Sequence, residues 1–289
     1  DAVVNYASGS GSNELTFTYT VAAGENSTDL DYTSTSALAL NSGTITDSAG
    51  NNATLTLATP GAVGSLGANK NLVVDTTGPS VTGVTSSDAD DTYKNGDTIT
   101  VLVAFDDTVT VDTTAGTPTL LMNNGSSGTA ATYTSGTGTN TLTFTYSIGA
   151  SDNNCDLDYA STSALALNSG TIKDGVGNNA TLTLVTPGAS GSISDNQAIV
   201  VDNTAPTAVA QNITVSLSAE GTVTITPAQV DNGSSDNCDS NLTLAINIAN
   251  YNCSHVGQTN YVLLSATDDA GFTSYDFSTV TVLDATPPT

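Results

Sequence analysis

The sequence contains no arginine and no tryptophan, and it has only three lysines and one histidine. Its 28 acidic residues outweigh these cations, and the formal net charge at pH 7 is −25. So few cations cannot neutralise phosphates, which excludes a nucleic-acid partner and disfavours binding to anionic membranes. Long apolar runs are also lacking, so we expect no membrane insertion.

The motifs of common catalytic sites are lacking as well. His255 is the only histidine, and neither a Gly-x-Ser-x-Gly elbow, a phosphate-binding glycine loop nor a Cys/His zinc spacing is found. Few side chains are left to act as general bases or oxyanion donors. Paired carboxylates can cleave glycosides, but aromatic residues make up only 5% of the chain. We therefore expect a protein that is not an enzyme.

What is present is a tandem repeat. Residues 15–79 align with residues 142–206 at a constant offset of 127, with no gap and with 44 of 65 positions identical. Duplication of this kind is typical of modular arrays, in which each copy is one folding unit. It favours a protein in which repeated modules set length and spacing.

Threonine alternates with apolar residues in many short runs, such as Leu15–Val21, Thr98–Phe105 and Ser278–Val282. This period of two predicts half-buried strands, and the Gly, Asn and Asp clusters between them predict tight turns. The sequence therefore predicts an all-β fold, namely tandem immunoglobulin-like β-sandwiches in a linear array.

Three short segments that each end in proline mark the module boundaries: Val74–Pro79, Val201–Pro206 and Leu283–Pro288. Proline stiffens a connector and keeps the preceding residue extended. We predict a first module at 1–77, a middle module at 78–204 and a third module at 205–289. With no visible signal peptide, the chain is expected to be a processed or excised piece.

The first module lacks counterparts of residues 79–127 of the middle module, because Asp1 aligns with Gly128. Those residues contain the most apolar strand of the repeat, and a sandwich without them would expose its core and a strand edge. We expect the missing strands to come from earlier in the same polypeptide or from a neighbouring chain. Self-assembly into a filament, or continuation into further Ig-like modules, is favoured over a free monomer.

The third module resembles a HYR-type module, an immunoglobulin-like domain of secreted and surface proteins. The similarity lies in the segments Asp202–Thr207, Gln211–Val215, Asp231–Cys238 and Ala266–Gly271, and in Cys253. The first two modules resemble the bacterial Ig-like repeats of giant surface adhesins and fibrils, through the Val-Asp-Thr-Thr-Gly-Pro segment that ends at Pro79 and the segments 95–99 and 174–178. The resemblance implies an extracellular, cell-surface stalk or fibre, often stabilised by calcium.

The resemblance also favours a disulfide between Cys238 and Cys253, with two buried thiols as the alternative. Cys155 has Thr28 as its counterpart in the first copy, so the repeat does not require it. We expect Cys155 to be a lone thiol without an intrachain partner.

Aspartates recur at equivalent loop positions and beside the boundary prolines. Ca²⁺ prefers such oxygen ligands and needs six to eight of them, so two loops must converge to bind it. The alternative is turn chemistry, since Asp followed by Gly and Asn forms tight turns without any metal. The candidate calcium ligands are Asp47, Asn51, Asp75, Asp88, Asp90, Asp174, Asn178 and Asp202.

Two functional classes remain open. One is a structural, non-catalytic segment of an extracellular bacterial adhesin or filament, whose modules act as a calcium-stiffened stalk with a possible glycan or surface receptor. The other is a carbohydrate-binding or accessory module of a secreted protein. A sugar binder would expose aromatic rings on a common surface, whereas most tyrosines here lie within alternating strands or at repeat-equivalent positions.

Overall fold

The structure is a computed structural model that describes residues 2–125 and 128–285. The end of the third predicted boundary, residues 286–288, lies outside the described residues. The chain separates into two compact units, and the first comprises the chain up to Gly78 together with Gly175–Asn178. The second comprises Pro79–Asp174 and the residues from Asn179 onward, so it contains the middle and third modules together. In the described residues, no helix is long and apolar enough to cross a membrane.

The first module has little regular structure. Its elements are β1 (Tyr6–Ser8), β2 (Thr16–Phe17) and the short helix α1 (Leu66–Asn69). Strands β1 and β2 form an antiparallel pair, and the remaining described loops are held by single bridges such as Ser27 to Val74.

The middle module forms a network of eight strands around one apolar core, with a separate parallel pair of β4 and β12. Strand β5 is the centre of the network, because it pairs with β3, β8 and β11. The elements are β3 (Val81–Ser86), β4 (Thr92–Tyr93), β5 (Thr98–Asp112), β6 (Thr119–Asn123), β7 (Ala130–Ser135), β8 (Thr139–Ser147), β9 (Asp158–Tyr159), β10 (Leu165–Ala166), β11 (Thr171–Lys173), α2 (Ile193–Asn196) and β12 (Val200–Val201).

The third module is a sandwich of a four-stranded sheet, in the order β13-β18-β17-β15, and a two-stranded sheet of β14 and β16. Its first strand, β13, runs parallel to its last strand, β18. The core between the sheets is a separate apolar cluster that includes Tyr251, Val262 and Val280. The elements are β13 (Ile213–Ser216), β14 (Thr222–Thr224), α3 (Pro227–Val230), β15 (Thr243–Ile246), β16 (Asn250–Asn252), a 3₁₀ turn (Cys253–His255), β17 (Asn260–Thr267) and β18 (Thr273–Leu283).

The predicted all-β class is confirmed, since the described helices are single turns of four residues or fewer. Alternation explains the sheets: in β8, Leu142, Phe144 and Tyr146 are fully buried, while the residues between them are not. A hairpin turn at Asp268–Gly271 joins β17 to β18, with Gly271 at a φ of 84° and the Asp268 N–H bonded to the Phe272 carbonyl at 3.1 Å.

Candidate metal centre between the middle and third modules

Three aspartates converge where the middle module meets the third. Asp202 follows β12, Asp236 lies in the loop between α3 and β15, and Asp268 opens the hairpin between β17 and β18. One carboxylate oxygen from each lies within 4.8 Å of the other two. We call this set the Asp202 cluster; in the residues that the structure describes, it is the one group of at least three acidic, Cys or His side chains close enough to hold a metal ion.

Local turns fix each carboxylate by one of its oxygens. Asp202 Oδ1 accepts the Thr204 N–H at 3.0 Å, and Asp268 Oδ1 accepts the Phe272 N–H at 2.7 Å. Asp236 Oδ1 accepts the N–H groups of the residues two and three positions ahead, at 2.9 and 3.0 Å. These bonds are the ordinary Asx-turn contacts of short acidic side chains.

In two of the three aspartates, the second carboxylate oxygen accepts no hydrogen bond from the protein. Asp236 Oδ2 and Asp268 Oδ2 are buried and have no hydrogen-bond partner. The Asp268 side chain is only 6% exposed and Asp202 only 1%. A buried carboxylate oxygen without a partner loses its hydration and regains nothing, which costs about 1–3 kcal/mol or more for a charged group. The two oxygens are therefore placed to accept a hydrogen bond or to bind a cation.

Electrostatics leads to the same conclusion. Burial raises the pKa of Asp202 above its usual range, and the charges of Asp236 and Asp268 raise it further. Burial likewise raises the pKa of Asp268, and the charge of Asp236 raises it further. Two full charges at this separation repel by about 3.5 kcal/mol at an effective dielectric near 20. A bound divalent cation would remove this repulsion and use the buried oxygens as ligands.

Other contacts hold the two modules together around the cluster. Lys94 of the middle module donates from Nζ to the Ala270 carbonyl at 2.7 Å, and its ammonium lies 5.4 Å from the centre of the Phe272 ring. A cavity of about 180 Å³ opens beside the cluster and is lined by polar side chains together with Val200 and Cys238. Its polar lining comes from Thr92, Asp202, Asp239, Ser240, Asn241 and Asp269.

A disulfide joins Cys155 of the middle module to Cys238 of the third, with the two Cα atoms 5.0 Å apart. Cys238 is two residues from Asp236, so the bridge anchors the loop that carries this carboxylate. The predicted Cys238–Cys253 pairing is therefore wrong, and so is the prediction that Cys155 has no intrachain partner. Cys253 is the free and exposed cysteine.

The geometry of the third module explains this correction. Strand β15 begins at Thr243, which pairs with Thr267 beside the hairpin at the junction, and it runs away from that end. Cys253 lies at the opposite end, where the Asn260 amide donates to the His255 carbonyl at 3.0 Å and β17 begins. The strand that separates the two cysteines in sequence also carries them to opposite ends of the sandwich.

Within the described residues, none of the other predicted aspartate ligands belongs to such a group. Asp47 and Asn51 form a closed turn, in which Asp47 Oδ1 accepts the Asn51 N–H at 2.8 Å and Oδ2 accepts the Asn51 amide at 2.9 Å. The bond from the Asn51 amide is the largest of the effects that lower the pKa of Asp47. At this pair the structure shows turn chemistry.

Local bonds hold four of the remaining candidates, namely Asp75, Asp88, Asp90 and Asn178. Asp75 Oδ1 accepts the Thr77 N–H at 2.9 Å, and the Asp75 carbonyl accepts the Asn178 amide at 3.2 Å. Asp88 accepts the Thr100 N–H, and Asp90 Oδ1 accepts the Ala198 N–H at 3.0 Å. Asp174 is buried. Of the eight candidates, only Asp202 belongs to the cluster.

Comparisons with known proteins add little to this description. No family model matches the sequence, and no curated protein sequence matches it. The chain is similar to the crystal structure of the N-terminal Ig1-2 module of the Drosophila receptor protein tyrosine phosphatase DLAR, at 11% identity over 72% of this chain and 100% of that chain, with a TM-score of 0.19. A second structure, the tandem Ig repeats of Dlar, is 10% identical over 71% of this chain and 98% of that chain, with a TM-score of 0.19. Because the identities and TM-scores are so low, the fold assignment rests on the strand pairing of the chain itself.

Proposed function

We propose that this chain is a non-catalytic structural segment of an extracellular adhesin or surface fibre, and that Ca²⁺ in the Asp202 cluster stiffens the junction between its middle and third modules. The observation that carries the proposal is the pair of buried, unpartnered oxygens of Asp236 and Asp268 facing Asp202 at the junction. Each of the three carboxylates offers one oxygen to a common point, which is the donor type that Ca²⁺ selects, and water would complete its six to eight ligands.

The disulfide supports the extracellular part of the proposal, because disulfides persist in oxidising compartments. A covalent bridge and an ion at one junction have the same mechanical effect, since both oppose bending between neighbouring sandwiches. Extracellular calcium modules bind with Kd values of about 10⁻⁴–10⁻³ M. An affinity in this range would keep the junction occupied outside the cell and empty inside it.

The test is Ca²⁺ binding by calorimetry, together with melting in 10 mM CaCl₂ and in chelator. If the Kd is near 0.1 mM, the ion stabilises the folded junction by about 2.7 kcal/mol, which raises the melting temperature of the second unit by roughly 5–10 °C. The double variant Asp236→Asn/Asp268→Asn should bind at least tenfold more weakly and melt at the same temperature in both buffers.

The matched control is Asp47→Asn, which changes an aspartate held in a closed turn and should keep the calcium response. Solution scattering of a Cys155→Ser/Cys238→Ser variant then isolates the effect of the ion on bending, with the covalent bridge removed. Equal binding by the wild type and the double variant would refute the site. Binding without any change in interdomain flexibility would refute the stiffening role.

A second candidate function, binding of a neutral polysaccharide, is favoured by one exposed face. Tyr261, Tyr275 and Phe277 are each 63–67% exposed, and they lie on the outer face of the two central strands of the third module. In the sheet register Phe277 faces Leu263 and Tyr275 faces Ser265. Rings beside hydroxyl groups resemble the sugar platforms expected of the alternative class.

A glycan array tests this candidate. Tyr275→Ala and Phe277→Ala should each weaken binding to a neutral polysaccharide by about tenfold, the equivalent of 1.4 kcal/mol. Thr281→Ala, at an exposed position further along the same strand, is the control and should leave binding unchanged. If no glycan is retained, or if all three variants bind alike, the face is not a sugar platform.

A further inference from the structure

We propose that the Cys155–Cys238 disulfide sets the Ca²⁺ affinity of the Asp202 cluster: reduction of the bridge weakens binding of the ion, and a bound ion makes the bridge harder to reduce. The inference rests on the proposed calcium site and adds a redox control to it. It follows from how the two cysteines are connected to the ligands on the two sides of the junction.

On the side of the third module, the bridge holds the loop that carries Asp236. The Cys238 N–H donates to Asp236 Oδ1 at 2.9 Å, and the Asn237 amide lies 3.0 Å from Cys238 Sγ. Between α3 and β15, the described residues 231–242 have only isolated bridges as regular structure. The position of Cys238 therefore fixes the Asp236 carboxylate and, with it, the direction of the unpartnered Oδ2.

On the side of the middle module, the bridge is tied to the segment that carries Asp202. Asn154 directly precedes Cys155, and its backbone exchanges two hydrogen bonds with Val201, each at 2.8 Å. The residue after Asp202 likewise donates its N–H to the side chain of the residue before Asn154, at 2.9 Å. Because both neighbours of Asp202 are bonded to the residues that precede Cys155, the disulfide connects Asp202 to the Asp236 loop.

The third ligand has another attachment to the middle module. Lys94 donates to the Ala270 carbonyl at 2.7 Å, within the hairpin that Asp268 opens. Reduction would therefore leave Asp268 in place and release mainly the Asp236 loop. That loop would keep only hydrogen bonds, such as the one of 3.1 Å from the hairpin to Asp239. We therefore expect reduction to weaken the site and not to abolish it.

The size of the effect follows from the order that the bridge imposes. The ion takes ligands from both modules, so it binds only when the Asp236 loop is held against Asp202. With the bridge closed, the entropy cost of ordering this loop is met during folding and not during binding. Ordering the backbone of a single additional residue on binding is enough to lower the affinity about tenfold.

The bridge is open to a reductant, since Cys155 is exposed and Cys238 lines the cavity beside the cluster. A small thiol attacks one sulfur and forms a mixed disulfide, which a second thiol then resolves. The S–S bond of the chain is broken, the two protons of the reductant end on the two cysteines, and the two thiols become one disulfide.

Thermodynamic linkage fixes the reverse effect. If reduction weakens Ca²⁺ binding tenfold, saturating Ca²⁺ must favour the oxidised bridge tenfold. For this two-electron couple, a factor of ten corresponds to a reduction potential that is lower by about 30 mV.

The test measures both halves of this cycle on the full chain. Calorimetry with CaCl₂ should give a Kd about tenfold higher after reduction with dithiothreitol than before it. Titration in dithiothreitol redox buffers should give a potential about 30 mV lower in saturating Ca²⁺ than in chelator. Cys253→Ser is the matched control and should show both effects unchanged, because it removes the free thiol and leaves the bridge intact.

A second variant and a local measurement separate release of the loop from general unfolding. Asp236→Asn, with the bridge intact, should lose most of the calcium dependence of the potential. On reduction of the wild type, hydrogen exchange should become faster at residues 236–239 and stay unchanged at residues 262–266 in β17.

Equal Ca²⁺ affinities in the two redox states would overturn the inference and leave the calcium site standing. Loss of protection at residues 262–266 on reduction would also overturn it, because the affinity would then follow unfolding of the whole module. If the oxidised chain binds no Ca²⁺, the proposed calcium site itself is refuted, and the inference with it.

Discussion

Replacing Cys155 and Cys238 together by serine is expected to destabilise the second unit by about 4.5 kcal/mol in the chain-entropy model. The reason is the size of the loop, since the two cysteines are 83 positions apart in sequence. For a unit of this size the loss corresponds to a drop of roughly 10–15 °C in melting temperature. Chemical denaturation of the oxidised protein and of the variant measures the difference.

Cys253→Ser is the matched control and should change stability little, since Cys253 is exposed and free. Peptide mapping under non-reducing conditions should recover one linked pair that contains Cys155 and Cys238. A linked peptide that contains Cys253 would contradict the structure. A reduced wild type as stable as the oxidised one would contradict the energetic argument.

The second large effect is on stability, and it compares the loss of a phenylalanine ring at equivalent positions in the two copies of the repeat. Phe144→Ala should cost about 3–5 kcal/mol, the usual range for a fully buried phenylalanine. Phe144 is 0% exposed and packs edge-to-face on Tyr133, with 5.8 Å between ring centres. Phe17 packs in the same way on Tyr6 at 6.2 Å but is 40% exposed, so Phe17→Ala should cost less than about 1 kcal/mol.

Calorimetric scans that resolve the two units provide the measurement, and Phe→Leu at both positions tests whether volume alone matters. Similar losses of stability in the two alanine variants would mean that Phe17 is buried in solution and would contradict the structure.

The long strands could be predicted from the sequence because sustained alternation of polar and apolar residues is specific to strands with one buried face. The strand predicted at Thr98–Phe105 continues to Asp112 as β5, with a register shift between Ala104 and Val109. Residues 180–184 also alternate threonine with apolar residues, but in the described structure they form a single bridge, from Thr181 to Ser80. Strands of two residues, such as β4 and β9, are too short to show alternation of polar and apolar residues, so they could not be predicted.

The Asp202 cluster could be predicted only in part. Asp202 could be chosen because it follows an apolar strand at a module boundary. Asp236 and Asp268 become its neighbours only when a loop and a hairpin from the third module meet that boundary, which no local pattern encodes. A signal is present, however, since both lie in the segments Asp231–Cys238 and Ala266–Gly271 that carry the resemblance to HYR-type modules.

The cysteine pairing was predicted wrongly, because the prediction favoured two cysteines that are close in sequence. Cys238 and Cys253 are only 15 positions apart in sequence, and a bridge between them would close a short loop. Sequence separation says little about which end of a sandwich each residue reaches, and β15 leads the chain away from the junction between the two cysteines. Pairing over 83 positions requires the three-dimensional contact between two modules.

The long disulfide also limits how far the chain can be stretched. When tension is applied to the two ends, the force crosses directly from Cys155 to Cys238 and leaves the residues between them slack. An extended chain spans about 3.5 Å per residue, so this loop withholds about 290 Å of contour length even after both modules unfold. A reducing milieu would release that length, and the maximum reach of the segment under load is therefore set by its redox state.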